Sequence, residues 1–204
     1  MNVQRGTRAL GVAESYRPDA DHSTLAGAVV RADRVLDGAA FDRCTVGELD
    51  ATERICSLVA SLERPDVRVL FVGAVAPAWY NLLDLEELAD RTGLPVLAVT
   101  FEASEGLEDG LREAFSGAEL ETRLERYAAL PRRHPVDLDD KAGKDDGPTE
   151  NETVYVRAVG LEPEVAASVV RAFTPEGGRP EPIRVARVLA RASDVSGTID
   201  ANPS

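Results

Sequence analysis

RVLFVGAVAPAWYNLLDLEELADRTGLPVLAVTF, residues 68–101, decides the fold. Its two ends, Arg68–Val75 and Pro95–Phe101, are apolar runs of strand length, as in strands covered on both faces. Between them, Leu82–Arg91 places apolar side chains at helical spacing, and Gly93 suits the position just past a helix end. Strand, helix and strand in so short a span make a parallel crossover unit.

Reading outward, the N-terminal side holds three β elements. Arg8–Tyr16 is apolar and then polar, while Leu25–Arg31 and Val35–Phe41 flank the turn Ala32-Asp33-Arg34 and predict a hairpin. Leu49–Leu62 carries apolar residues at helical spacing and is stopped by Pro65. On the C-terminal side, Ser104–Leu130 predicts a helical stretch broken near Gly117. His134–Asn151, rich in Asp, Gly, Lys and Pro, predicts a flexible loop within the domain. Val154–Val159 predicts a strand. Glu162–Phe173 and Pro182–Ala192 predict helices, with Pro182 suited to a first turn. Residues 193–204 predict a polar tail. The order predicts an α/β chain, with one domain over residues 1–192. Its mixed sheet has three initial β elements, then αβαβα, helices on both faces and a ribonuclease H-like order.

Composition narrows the classes. The 204 residues are 44% apolar, enough for a sizeable core. No apolar run approaches the ~18 residues that span a membrane, and the N-terminus lacks a secretory layout. A soluble cytoplasmic protein is expected. Acids number 36 against 23 Lys and Arg, giving a net charge of −13, and the two lysines are Lys141 and Lys144. Such an acid excess stays hydrated when salt screens it, which predicts a salt-adapted protein. Cys44 and Cys56 do not make a disulfide framework, and buried thiols in a reducing compartment are expected.

The chain has no internal repeat, no glycine-rich phosphate loop, no HExxH and no G-x-S-x-G. His22 and His134 fall in expected loops without evident partners. Carboxylate chemistry remains. Glu14 follows the first strand, Asp50 and Glu53 stand three apart at the start of the first helix, and Asp84 opens the second. Acids at such ends can meet and hold Mg²⁺ or Mn²⁺, which prefer oxygen ligands. Acids in a first helical turn also serve the helix itself, through its dipole and caps.

Four stretches together resemble the archaeal endonuclease dU family, itself similar to endonuclease V. They are RALGVAES (8–15), TVGELDATERI (45–55), WYNLLDLEELADRTGLPVLAVTFE (79–102), and VYVRAVGLEPEVAASVVRAF (154–173) followed by RPEPIRVARVLA (179–190). The resemblance covers nearly the whole chain. It implies a ribonuclease H-like fold and a metal-dependent endonuclease that nicks DNA near deaminated bases, deoxyuridine or deoxyinosine. Glu14, Asp50, Glu53 and Asp84 are then the candidate catalytic residues, with Glu14 and Asp50 as metal ligands. Such an enzyme extracts the damaged base from the stack. Tyr16, Trp79, Tyr80 and the neighbouring Asn81 are candidates for contacting it. Arg184, Arg187 and Arg191, at spacings of three and four on the last helix with Arg179 just before it, are candidates for phosphate contact.

The departures from the family are specific. Relatives carry an Asp in the first strand where this chain has Ala13, and an Asp before the glycine that ends the next buried strand, where it has Val72. Glu14 lies one step past Ala13, so it faces the other side of the sheet unless a bulge or strand end re-aims it. Two readings follow: a nuclease with a rearranged acidic site, or a non-catalytic nucleic-acid-binding protein on a nuclease frame.

Overall fold

The computed structural model describes residues 1–17, 19–101, 106–138, 153–175 and 178–196. β1 (Arg8–Ser15), β2 (His22–Arg31) and β3 (Leu36–Thr45) run antiparallel in succession, with Arg34 left-handed (φ 70°) in the β2–β3 turn. β4 (Val67–Val72) pairs parallel to β1, and β5 (Val96–Thr100) parallel to β4. β7 (Thr153–Val159) is antiparallel to both β5 and β6 (His134–Asp137). The sheet order is β3-β2-β1-β4-β5-β7-β6. The fold is α/β and ribonuclease H-like, with a mixed sheet.

Two cores cover the sheet. On one face, α1 (Ala51–Ser61) and α3 (Leu85–Thr92) bury Ile55, Leu58, Leu85 and Leu88 against Leu10, Val12, Leu70 and Val72. On the other, α6 (Pro163–Ala172) and α7 (Glu181–Ser196) bury Val169, Val170, Ile183 and Ala186 against Ala9, Ala13, Val69 and Phe71. Strand side chains alternate between faces, which explains the division within β1 and β4. α3 starts where Asp84 accepts the Glu87 N–H at 2.9 Å and ends where left-handed Gly93 accommodates the turn.

Two expectations need correction. The loop expected at 134–151 begins as strand β6, because Val136 is buried beside Val154 and Val156; residues 139–151 lie outside those described. The last helix runs on to Ser196, into the expected polar tail, whose remaining residues lie outside those described. The break expected near Gly117 is found: α4 (Glu108–Ala114) and α5 (Gly117–Ala129) are separated by extended Phe115 and Ser116, and Ser104 lies outside the described residues. Cys44 and Cys56 are buried and free, and burial, with the nearby carboxylates of Glu14, Asp50 and Asp42, pushes the Cys44 thiol up to about 12. No helix among the described residues is long and apolar enough to cross a membrane.

Candidate functional site

A cleft of about 310 Å³ opens where the carboxyl ends of β1 and β4 meet the start of α7. Open α/β sheets bind ligands at such strand ends. Val12, Leu25, Ile55, Val72, Leu83 and Ile183 give it apolar walls. Its charged lining is Glu14, Arg179, Arg187 and Arg191. The spacing of four on α7 brings Arg187 and Arg191 to one side.

Glu14 reaches this cleft without a bulge. The β1–β2 register runs unbroken from Arg8 opposite Arg31 to Ser15 opposite Thr24. Val12 stands opposite Val72 on the parallel neighbour, so Glu14, two residues on, shares the face of Val12 and Val72, and Ala13 takes the other. Of the two positions where the resemblance implies an acid, Ala13 and Val72, only Val72 lies on the face of Glu14.

One Glu14 oxygen accepts from Ser23 Oγ at 2.9 Å and from the Ala78 N–H at 2.6 Å. Ala78 belongs to a one-turn segment, α2 (Pro77–Tyr80), that no sequence signal announced. Ala78, Trp79 and Tyr80 have φ of 47°, 56° and 63°. Left-handed backbone costs L-residues roughly 1–2 kcal/mol each, so surrounding contacts must hold it. Glu14 takes the Ala78 N–H, the Gly47 N–H donates to the Ala78 carbonyl at 2.9 Å, and Trp79 packs over Gly47. Arg123 donates to the Gly47 carbonyl and lies 3.8 Å from the Phe115 ring centroid.

Burial raises the Glu14 pKa above 4.5, against the hydrogen bonds from Ala78 and Ser23 and the charge of Arg187. A carboxyl whose pKa rises on folding favours the native state when protonated. That contribution is complete below the unfolded pKa and is lost as pH rises through the folded value. Glu14→Gln, which keeps an acceptor oxygen, is therefore expected to unfold at higher urea than the parent at pH 8. The gap should close below pH 4.5. A variant less stable than the parent at both pH values would show that the buried charge is not the dominant effect.

The other expected site acids do not line the cleft with Glu14, although Asp50 and Glu14 both act on the Cys44 thiol. Asp50 accepts from Thr45 N–H and Oγ1 at 3.1 and 3.0 Å and from Asn81 Nδ2 at 2.7 Å. Glu53 lies on the surface, paired with Arg91 of α3. Asp84 caps α3. Among the described residues, no group of three or more His, Cys, Asp or Glu side chains is arranged to hold a metal ion. The cleft's own donors do not suit Mg²⁺ or Mn²⁺: a cation there meets one carboxylate, half engaged already, and three guanidiniums.

The expected nucleic-acid contacts divide likewise. Tyr16 lines the cleft and is exposed. Trp79 is exposed outside the cleft, and Tyr80 packs edge-on against Trp79 and Phe115. Asn81 is wholly buried, which corrects the expectation that it contacts nucleic acid. Its Oδ1 accepts the Ala51 N–H at 2.9 Å, and its Nδ2 donates to the Thr45 carbonyl and to Asp50. Arg184 forms a bidentate pair with Glu181 at 2.7 and 2.5 Å, whereas Arg187 and Arg191 line the cleft. Arg179, whose charge only its position before the helix commended, completes the lining and lies 4.0 Å from the Phe101 ring centroid.

The endonuclease dU family profile matches residues 5–193. The chain belongs to the endonuclease dU family. This family member is 32% identical over 182 residues to a UPF0215 protein of Pyrobaculum calidifontis, covering 89% of this chain and 93% of that protein. Its fold is similar to that of a protein of unknown function from Archaeoglobus fulgidus, with a TM-score of 0.76 at 22% identity, covering 91% and 97% of the two chains. It is also similar to Ciona intestinalis endonuclease V, solved with a 24mer DNA containing an inosine. There the TM-score is 0.58 at 14% identity, over 95% and 92% of the chains. The endonuclease dU match makes this a nuclease-like protein, and the endonuclease V likeness shows the fold it is built on.

Proposed function

We propose that this endonuclease dU family member binds DNA carrying a deaminated base through the arginine-lined cleft, without a metal centre built from the expected acids. The observation that carries this reading is the convergence of Arg179, Arg187 and Arg191 on one cleft that holds a single carboxylate, Glu14. The net charge of −13 repels a phosphate backbone at long range, so binding requires a local concentration of arginine. The endonuclease V of Ciona intestinalis, whose fold this chain shares, binds inosine-containing DNA. Tyr16 at the cleft mouth offers a ring to an unstacked base.

Fluorescence anisotropy with duplexes containing deoxyuridine, deoxyinosine or no lesion, over a range of KCl, tests it. Arg187→Gln with Arg191→Gln should weaken all three complexes by at least tenfold. It should also reduce the log–log salt slope by about 2, roughly one for each lost phosphate contact. An unchanged slope would remove the cleft from the interface.

Metal-dependent nicking at deaminated bases is the second reading, favoured by Glu14 standing on the face of Val72 at the strand end. Mn²⁺-dependent nicking of deoxyuridine or deoxyinosine duplexes that Asp50→Asn abolishes would establish it. No nicking would leave DNA binding alone, and nicking indifferent to Asp50→Asn would exclude Asp50 from the chemistry.

A further inference from the structure

Several arginines of this acidic chain have carboxylate partners. Arg8 and Arg64 pair with Asp37 and Asp66, Arg31 with Asp33, Arg91 with Glu53 and Glu87, and Arg184 with Glu181. With 36 acids available, such pairing is easy. Arg179, Arg187 and Arg191 are among those without an ion-pair partner in the described residues, and the one carboxylate in their cleft, Glu14, feels the charge of Arg187. They share one cleft and repel one another. Burial and the charges of Arg187 and Arg191 hold the Arg179 guanidinium below its usual range. Three like charges kept together against their repulsion, with one buried carboxylate beside them, indicate an anion beyond what the described residues supply.

The cleft's shape restricts that anion. About 310 Å³ is the lower end of small-ligand pockets, room for one nucleotide unit and too little for a stacked duplex. The apolar walls suit a base or sugar, and guanidiniums suit phosphate through paired N–H donors. A phosphodiester offsets one of the three charges, whereas a phosphomonoester offsets nearly two. Glu14 opposes an anion only weakly, because one of its oxygens is already held by Ala78 and Ser23 and burial favours its neutral form.

We infer that the cleft is a metal-independent site for a nucleotide phosphomonoester, with Arg179, Arg187 and Arg191 as its phosphate ligands. Where a divalent ion would bridge protein carboxylates to phosphate, the guanidiniums meet the phosphate directly. Two sources share this chemistry, a free mononucleotide and the phosphorylated end of a nucleic-acid strand. The inference rests on the cleft being the nucleic-acid site of the preceding section.

Calorimetry with the full chain in EDTA tests it, using deoxyuridine monophosphate, a short single strand with a 5′-phosphate, and the same strand with a 5′-hydroxyl. The phosphorylated strand or the mononucleotide should bind at least tenfold more tightly than the hydroxyl strand. Replacing EDTA with Mg²⁺ should change this less than twofold. Arg187→Gln with Arg191→Gln should abolish the preference while far-UV circular dichroism stays unchanged, and Arg112→Gln, remote from the cleft, should preserve it. Preference for the strand over the mononucleotide identifies a chain end as the ligand, and equal binding identifies the free nucleotide; either supports the site. No preference for phosphate, or a preference that appears only with Mg²⁺ or Mn²⁺, overturns it. A covalently closed circular duplex containing deoxyuridine separates the two readings. If the circle binds and the phosphate preference is absent, the inference fails and DNA binding stands. If the mononucleotide binds and the circle does not, the phosphomonoester site stands and binding of unbroken DNA fails.

Discussion

Asn81→Ala is expected to lower the unfolding free energy by about 3 kcal/mol, a fall of roughly 10 °C in Tm for a chain of this size. The amide is wholly buried and makes three hydrogen bonds, to the Ala51 N–H, the Thr45 carbonyl and the Asp50 carboxylate. Truncation leaves the buried Ala51 N–H without its partner, at ~1–3 kcal/mol, and deprives Asp50 of a charge-assisted donor. It also removes the anchor immediately after the left-handed turn at Ala78–Tyr80, whose Asn81 N–H donates to the Pro77 carbonyl. Asn81→Asp should be at least as damaging, since the side-chain nitrogen that donates to Asp50 becomes a second carboxylate oxygen. Chemical denaturation of both variants checks this. Loss of DNA binding with stability intact would instead return Asn81 to the role expected of it from sequence.

The distance between those two roles shows what the sequence can carry. Residues 68–101 announce strand, helix and strand because hydrophobic periodicity is local, and β4, α3 and β5 form there. Glu14 was legible as a candidate because it stands near a strand end, but the face it takes was not. Asp50 and Glu53 stand at the start of a helix, where a metal ligand, a structural acceptor and a surface ion pair look alike. The choice was made by residues far along the chain, Asn81 for Asp50 and Arg91 for Glu53. Trp79 and Tyr80 drew notice as aromatics, but nothing local announced the left-handed turn that carries them. Its partners, Glu14, Gly47 and Arg123, come from three separate elements. The arginines were half legible: spacing found Arg187 and Arg191, while Glu181, three residues before Arg184, neutralises the first of the stripe.

Gly11→Ala should be more disruptive still, because it strikes backbone and not a side chain. A Cβ at this position would stand 2.2 Å from both the carbonyl carbon and the oxygen of Pro182 and 2.7 Å from the Ile183 nitrogen. Gly11 is the point at which the first turn of α7 lies against β1. A side chain in contact can change rotamer, but the start of a helix moves only as a body. Shifting α7 disturbs Ile183, Ala186 and Ala190, which are essentially inaccessible to solvent. Overpacking of this kind typically costs ~1–3 kcal/mol, and the rigid obstacle places this case at about 3 kcal/mol or above. Gly27→Ala is the informative comparison. Its Cβ would fall 2.4 Å from Leu58 Cδ2, the far end of a side chain that can yield, so a loss of about 1 kcal/mol is expected. The two substitutions add the same methyl group to neighbouring strands. They should differ in function as well, because α7 carries Arg187 and Arg191 into the cleft. Gly11→Ala should weaken DNA binding even at temperatures where the protein remains folded, whereas Gly27→Ala should leave it within twofold. Equal losses of stability and equal DNA affinity in the two variants would show that the seating of α7 on Gly11 does not position the cleft arginines.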